Sequence, residues 1–89
     1  MKRVNILAAA TLVAAGPAYA VDLVNRDRVA HDVIINRSDG SSDEITVKPR
    51  EKLAKVCTAC VVVVGDSTAE ATGDVTVTIE GGKVSITTR

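Results

Sequence analysis

Two cysteines three positions apart, Cys57 and Cys60, are the most reactive residues in this sequence. An extended strand would hold such residues about 10 Å apart, beyond the reach of a disulfide, so a bond between them requires a turn at Thr58-Ala59. Catalytic dithiols use the same spacing but place the first cysteine at a helix N-terminus, whereas this pair runs into four valines. We therefore predict a structural Cys57–Cys60 disulfide, with catalytic thiol exchange and a disulfide between two chains as the alternatives.

The one histidine of the sequence, His31, offers a different chemistry. With Cys57 and Cys60 it would supply three ligands for zinc or copper, and a carboxylate or a water molecule would have to complete the site. Such a site needs free thiolates, so it excludes the disulfide. Strand alternation places His31 on the same face as Val33 and Ile35, which is typical of a packed histidine. The metal site is therefore the alternative interpretation of these three residues.

A short polar segment precedes and includes this histidine. Asn25, Asp27 and His31 lie within Val24–Val33, which resembles the strand-turn segment of cupredoxins, where an Asn-x-Asp turn precedes the first copper-binding histidine. The resemblance implies a β-sandwich with His31 as a copper ligand and one of the two cysteines as a second. Cupredoxins also have a second histidine and usually a methionine near the C-terminus, and this chain has neither there.

Other catalytic patterns do not occur in this sequence. It has no Ser-His-Asp arrangement that spacing can support, no glycine-rich phosphate loop and no histidine-rich metal motif. Acidic residues such as Asp43 and Glu44 lie near predicted turns, where they keep a surface soluble. The sequence therefore predicts a protein that is not an enzyme.

The first 20 residues have the three-part pattern of a secretory signal peptide. Lys2 and Arg3 supply the positive charge, residues 6–15 supply the apolar stretch, and Ala18 and Ala20 are the small residues before a cleavage site. The apolar stretch is shorter than the roughly 20 residues of a membrane-spanning helix. We therefore predict cleavage after Ala20, a periplasmic or secreted product without a membrane span, and a single small domain over residues 21–89.

The residues after this leader favour sheet over helix. Residues 21–89 contain 13 Val, 5 Ile and 8 Thr, so that 26 of 69 side chains are β-branched. Such side chains fit a pleated sheet and lose rotamer freedom in a helix. No segment has the apolar stripe of an amphipathic helix. The sequence predicts an all-β fold, a small antiparallel β-sandwich or a partly open barrel of about seven short strands.

The clearest local prediction is a hairpin at the C-terminal end. Two glycines, Gly81-Gly82, permit the positive backbone angles of a two-residue turn. Pairing Glu80 with Lys83 then sets Ile79 opposite Val84 and, further along, places one apolar row and one hydroxyl row on opposite faces. A slip of one residue would mix those rows, so the turn and the pattern agree on one register.

A second hairpin is predicted around Ser38–Ser42, between strands at Val29–Arg37 and Asp43–Lys48. A three-residue loop would place Ile35 opposite Ile45, and a two-residue loop would place Ile34 there. We prefer the first because it makes one continuous apolar face.

The remaining predicted strands are Asp22–Asn25, Lys52–Cys57 and Val61–Val64. The four valines of the last strand predict a central strand that is covered on both faces. Asp66–Asp74 has the polar composition of a loop or a ragged edge.

Charge narrows the range of partners. Without residues 1–20 the chain has 9 basic and 11 acidic residues, a net charge of −2, and its one aromatic residue, Tyr19, lies in the leader. Nucleic-acid binding is therefore not expected. We predict a non-catalytic exported module that binds another envelope protein or has a structural role in the envelope and needs no cofactor, with copper or zinc binding as the alternative.

Overall fold

The computed structural model of the protein describes residues 20–88, and all of the described elements are strands. The predicted signal peptide lies, except for Ala20, outside these residues. The strands are, in chain order, β1 Val21–Asn25, β2 His31–Arg37, β3 Ser42–Val47, β4 Lys52–Cys57, β5 Ala59–Val64, β6 Ser67–Thr72, β7 Val75–Glu80 and β8 Lys83–Thr88.

These eight strands form two four-stranded sheets. The first sheet has the order β4-β1-β7-β8 and the second has the order β3-β2-β5-β6. The predicted all-β sandwich is confirmed, with eight strands where about seven were predicted, and the sheets do not close into a barrel. Strands pair antiparallel except for β1 and β7, which are parallel. Residues 20–88 include no helix that is long and apolar enough to cross a membrane.

The core lies between the two sheets and consists of aliphatic side chains. One face of each inner strand points inward, as the alternating burial of β2 and β5 shows. Burial of each large aliphatic side chain contributes roughly 1.5–3 kcal/mol. The largest apolar side chains that are fully buried are Leu23, Ile35, Ile79, Val21, Val33, Val47, Val62 and Val77.

The C-terminal hairpin has the predicted register. Glu80 pairs with Lys83 and Ile79 with Val84, and the remaining pairs of β7 and β8 follow in the same register. Gly81 and Gly82 have φ angles of 64° and 74°. Both angles lie in the left-handed region that glycine adopts without steric cost, so the two-residue turn and the strand pattern determine this hairpin together.

The hairpin of β2 and β3 differs from both predicted registers. Val33 pairs with Ile45, a shift of two residues from the preferred pairing. Gly40 has a φ of 96° and donates its N–H to the carbonyl of Arg37 over 3.0 Å, so the turn closes one residue earlier than predicted. A shift of two residues preserves the faces of both strands, and the apolar residues therefore still point into the core.

Two predictions about the second sheet have mixed outcomes. Strand β5, with its four valines, is central as predicted, but only Val62 and Val64 are buried, while Val61 and Val63 remain half-exposed on its outer side. The polar stretch that was predicted as a loop or a ragged edge forms the edge strand β6, Ser67–Thr72. Its inward positions carry small side chains, so it lacked the strong apolar alternation by which the other strands were recognised.

Candidate functional site

Asn25 lies at the end of β1 and is fully buried. Its Nδ2 donates to the carbonyl oxygens of Val29 at 2.9 Å, Val47 at 3.2 Å and Lys48 at 3.1 Å. Its Oδ1 accepts the backbone N–H of Asp27 at 2.9 Å, which forms an Asx turn. The side chain therefore joins the β1–β2 loop to the β3–β4 loop, which connect strands of the two different sheets.

Asp27 connects the same loop to the C-terminal hairpin. Its Oδ1 accepts the N–H of Gly81 at 2.7 Å, and its Oδ2 accepts the N–H of Gly82 at 2.9 Å. These two hydrogen bonds, and a third with His31, stabilise the carboxylate and lower the pKa of Asp27 below its ordinary value of 3.8. The negative charge thus holds together segments that are 54 and 55 residues apart in sequence.

His31 completes this cluster at the first residue of β2. Its Nε2 lies 2.7 Å from Oδ2 of Asp27, and the two side chains are 18% and 17% exposed. Strand β2 begins at His31 and not at Val29 as predicted. Val29 is exposed in the preceding loop. The segment that resembles cupredoxins thus forms a polar connection between the two sheets, and its relation to copper proteins stays a prediction.

Replacing Asp27 by Asn should lower the midpoint of thermal unfolding by several degrees at neutral pH. The two charged oxygens of Asp27 each accept one glycine N–H, whereas an amide has one uncharged acceptor oxygen and an NH2 group that cannot accept the second N–H. The pKa of Asp27 is lowered in the folded state, so its contribution to stability is complete above the ordinary value of 3.8 and is lost as the pH falls through the folded-state pKa. The difference in midpoint between wild type and Asp27→Asn should therefore narrow below that pH. Circular dichroism during heating measures both effects.

Asp39 provides the matched control for this prediction. Its carboxylate also has a lowered pKa, first through the side-chain hydrogen bond of Ser41 and then through the backbone N–H of the same residue. That contact spans only two residues of one turn. Asp39→Asn should therefore change the midpoint much less than Asp27→Asn, and equal changes would contradict the connecting role of Asp27.

The two cysteines form the predicted disulfide at the opposite end of the sandwich. The Cα atoms of Cys57 and Cys60 are 6.2 Å apart, and both residues belong to the buried core. The chain reverses at Thr58, between the end of β4 and the start of β5. The turn that the disulfide requires is therefore present, and it connects the first sheet to the second.

The structure does not bring the proposed metal ligands together. Both sulfurs are in the disulfide, and Nε2 of His31 contacts Asp27 at the other end of the sandwich. Within residues 20–88 no three His, Cys, Asp or Glu side chains are grouped so that they could hold a metal ion. A site composed of His31, Cys57 and Cys60 would require both reduction and a large rearrangement.

The outer face of the second sheet has an apolar centre with acidic residues around it, and we call it the acidic face. Ile34 is 37% exposed at its centre, with half-exposed Val61 and Val63 on the neighbouring strand. Its charged residues are all acidic and lie on three strands. The outward positions are Asp32, Ile34 and Asn36 of β2, Ser42, Glu44 and Thr46 of β3, Ala59, Val61 and Val63 of β5, and Thr68, Glu70 and Thr72 of β6.

An open cavity of about 380 Å³ lies where this face meets the cysteine end. Arg37 lies at its margin, donates to Oδ2 of Asp43 at 2.7 Å and to the carbonyl of Val56 at 3.2 Å, and so connects the two sheets. The cavity is lined by Asn36, Arg37, Ser38, Ala59, Cys60, Val61, Glu70 and Thr72. This surface could not be predicted from the sequence, because its residues come from three strands whose register the sequence does not specify.

Comparison with known proteins identifies no relative: no family model, no curated protein and no solved structure matches this chain.

Proposed function

We propose that this chain is an exported, non-catalytic binding module whose acidic face receives a segment of another envelope protein. The observation that carries this proposal is the apolar strip of Ile34, Val61 and Val63, which lies exposed or half-exposed between carboxylates. A sheet face that has no partner normally carries polar residues. An apolar centre surrounded by polar groups is the arrangement of a protein-binding surface.

The charges of the face support a partner segment of opposite charge. Asp32, Glu44 and Glu70 flank the apolar strip, and the outward positions of the same four strands include no Lys or Arg. A segment with apolar side chains and flanking Lys or Arg would therefore match both the strip and its surroundings. Export is supported by the leader pattern of residues 1–20, and the disulfide suits an oxidising compartment.

A binding role also agrees with the fact that the chemically active side chains already have partners within the protein. Asn25, Asp27 and His31 are hydrogen-bonded to one another or to backbone groups, and the sulfurs are bonded to each other. Each of these groups has a structural partner that catalysis or metal binding would have to displace. The acidic face, in contrast, presents its groups to solvent.

The proposal is tested by photo-crosslinking in a bacterium that exports the full-length chain. A photoreactive amino acid is placed at position 34 in one strain and at position 86 in another, since Ile86 is a similarly exposed isoleucine, 41% exposed, on the first sheet. The periplasmic protein should begin at Val21 and be two hydrogens lighter than its reduced form. Position 34 should give one discrete adduct whose crosslinked peptide is apolar and basic.

The charge of the face supplies the second part of this test. Glu44→Lys together with Glu70→Lys should remove most of the position-34 adduct, because like charges would then oppose the basic segment. Identical adducts at positions 34 and 86, a crosslink to a second copy of the chain, or an adduct insensitive to these substitutions would each overturn the docking proposal. An intact leader in the periplasmic protein would overturn cleavage, and bound copper or zinc that His31→Ala removes would favour the metal alternative.

A further inference from the structure

Two loops meet at the end of the sandwich that is opposite the disulfide. They are residues 26–30, between β1 and β2, and residues 48–51, between β3 and β4. The buried amide of Asn25 donates to Val29 in one loop and to Lys48 in the other, and the N–H of Asn25 donates to the carbonyl of Glu51 at 2.9 Å. These hydrogen bonds hold the two loops against each other as one surface, which we call the basic end.

In these two loops the acidic and the basic side chains have different environments. The carboxylates are engaged with backbone groups: Asp27 accepts from the two turn glycines, and Oε1 of Glu51 accepts the N–H of Lys48 at 2.8 Å. The cationic side chains are exposed, and within residues 20–88 the structure shows no hydrogen bond or ion pair from their charged groups. They are Arg26, Arg28, Lys48 and Arg50.

Arg50 is held in a backbone conformation that favours glycine. Its φ is 65°, it follows Pro49, and the N–H of Glu51 donates to the carbonyl of Lys48 at 3.1 Å. Proline followed by a residue with positive φ is the pattern of a type II turn, in which glycine or asparagine normally occupies the second position. An arginine there is strained, and backbone strain of this kind concentrates at binding sites and other functional positions. The site thus retains a cation at the expense of local stability.

We propose that the basic end docks on the surface of a bilayer that contains anionic phospholipid. Four unpaired cations on one end of the molecule suit a plane of phosphate groups, whereas residues 20–88 offer no aromatic side chain for stacking on nucleic-acid bases. The loops with Asp39 and Asp74 lie at the other end. A six-residue strand separates the ends by ~20 Å, about twice the Debye length at 0.1 M salt, so those two acids oppose docking little. Asp66, in the turn between β5 and β6, and Glu80, the last residue of β7, lie at the same end as the cations and reduce their attraction for an anionic surface in part.

The experiment measures co-sedimentation of the chain from Val21 onward, which contains all of the described strands, with vesicles. One set of vesicles contains phosphatidylglycerol with phosphatidylcholine, and the other contains phosphatidylcholine alone. Binding should require phosphatidylglycerol and weaken as NaCl increases. Each cation at an anionic surface is worth about fivefold in partitioning, so Arg50→Gly should weaken binding about fivefold and should raise the denaturant midpoint.

Lys55 gives a matched control for this substitution. Within residues 20–88 it is the other residue besides Arg50 that has a positive φ, 56°, without being glycine, and it lies within β4 and not in the two loops. Lys55→Gly removes the same charge and relieves the same kind of strain, so it should leave vesicle binding within about twofold of wild type if surface charge acts locally. Replacing Arg26 and Arg28 by Ala together with Arg50→Gly should reduce binding about a hundredfold.

Three results would overturn this proposal. The first is equal binding to both kinds of vesicle, and the second is an equal loss of binding in Arg50→Gly and Lys55→Gly. The third is greater inhibition by inorganic phosphate than by NaCl of the same ionic strength, because it would show that the loops bind single phosphate ions. The proposal does not depend on the acidic face, so charge reversal at Glu44 and Glu70 should not weaken vesicle binding.

Discussion

Asn25→Asp should remove a large part of the stability of the protein at pH 7. The substitution keeps the size of the side chain but replaces an N–H donor by an oxygen that faces the carbonyl oxygens of Val29, Val47 and Lys48. A buried charge without a partner costs about 3–5 kcal/mol. A domain of this length has a total stability of roughly 3–10 kcal/mol, by the usual contribution per residue. The expected loss is therefore between about a third of this stability and all of it.

The pH dependence of this variant distinguishes charge from shape. Burial beside three carbonyls raises the pKa of the introduced carboxyl, so its protonated form, which regains one O–H donor, is favoured in the folded state. The destabilisation should be largest well above the raised pKa and should diminish as the pH falls towards about 4. Urea unfolding followed by far-ultraviolet circular dichroism gives the stability at each pH, since the chain from Val21 has no aromatic residue for fluorescence.

Asn36→Asp is the matched control because Asn36 is exposed on the acidic face. Its Oδ1 accepts the hydroxyl of Ser42 at 2.8 Å, a contact that a carboxylate retains. We expect a change within about 0.5 kcal/mol, as for most surface substitutions. If Asn25→Asp were as stable as Asn36→Asp at pH 7, the buried amide would not be the connection between the two loops that the structure shows.

The parts of the fold that could be predicted are those in which turn chemistry and strand pattern agree. Gly81-Gly82 and the alternation on both sides of it allow only one register for β7 and β8, and that register is observed. In the β2–β3 hairpin the residues Ser38–Ser42 allow several turn positions, and periodicity cannot distinguish registers that are two residues apart. In the structure Gly40 has the positive φ of the turn, and this sets the register. Residue types alone do not determine which residue of the loop adopts that backbone angle.

Strand β6 was harder to predict for a different reason. Its residues Ser67–Thr72 alternate, but the inward side chains are Ser and Ala, and the buried one is Ala71. A small side chain gives little apolar signal, so the pattern resembled a loop. The strand is held by its pairing with β5, where Cys60 lies opposite Ala71. The strand conformation of β6 thus depends on its pairing with β5, which the local composition did not indicate.

In the candidate sites, too, the local features could be predicted from the sequence and the contacts between distant segments could not. The sequence identified Asn25, Asp27 and His31 as one segment and Cys57 and Cys60 as another, and the structure has a specific contact in each. The sequence did not indicate the partners of the first segment. Most of them are backbone N–H and C=O groups of distant loops, and every residue type has such groups. The acidic face required the order of the strands in the sheet. The basic end required knowledge that two loops far apart in sequence meet.

Reducing the disulfide, with both sulfur atoms kept, should cost less than disturbing Asn25, and its effect should be concentrated at one end of the molecule. The loop closed by Cys57 and Cys60 is short, with a sequence separation of 3, so its constraint on the unfolded chain is worth about 2 kcal/mol. Cys57→Ala with Cys60→Ala should lose that amount and about 1 kcal/mol more per site, because both sulfurs are buried. Urea unfolding measures the loss.

Reduced wild-type protein separates the constraint from the packing, because it keeps both sulfur atoms. It should lose only the first part, about 2 kcal/mol, and the alanine variant should not respond to reductant. Hydrogen exchange should accelerate near Cys60 and Arg37, which pair between β5 and β2 beside the disulfide, and should remain slow at Asn25. Complete unfolding on reduction would show that the disulfide holds the whole sandwich, and unchanged stability would show that the turn at Thr58 is maintained by the sheets alone.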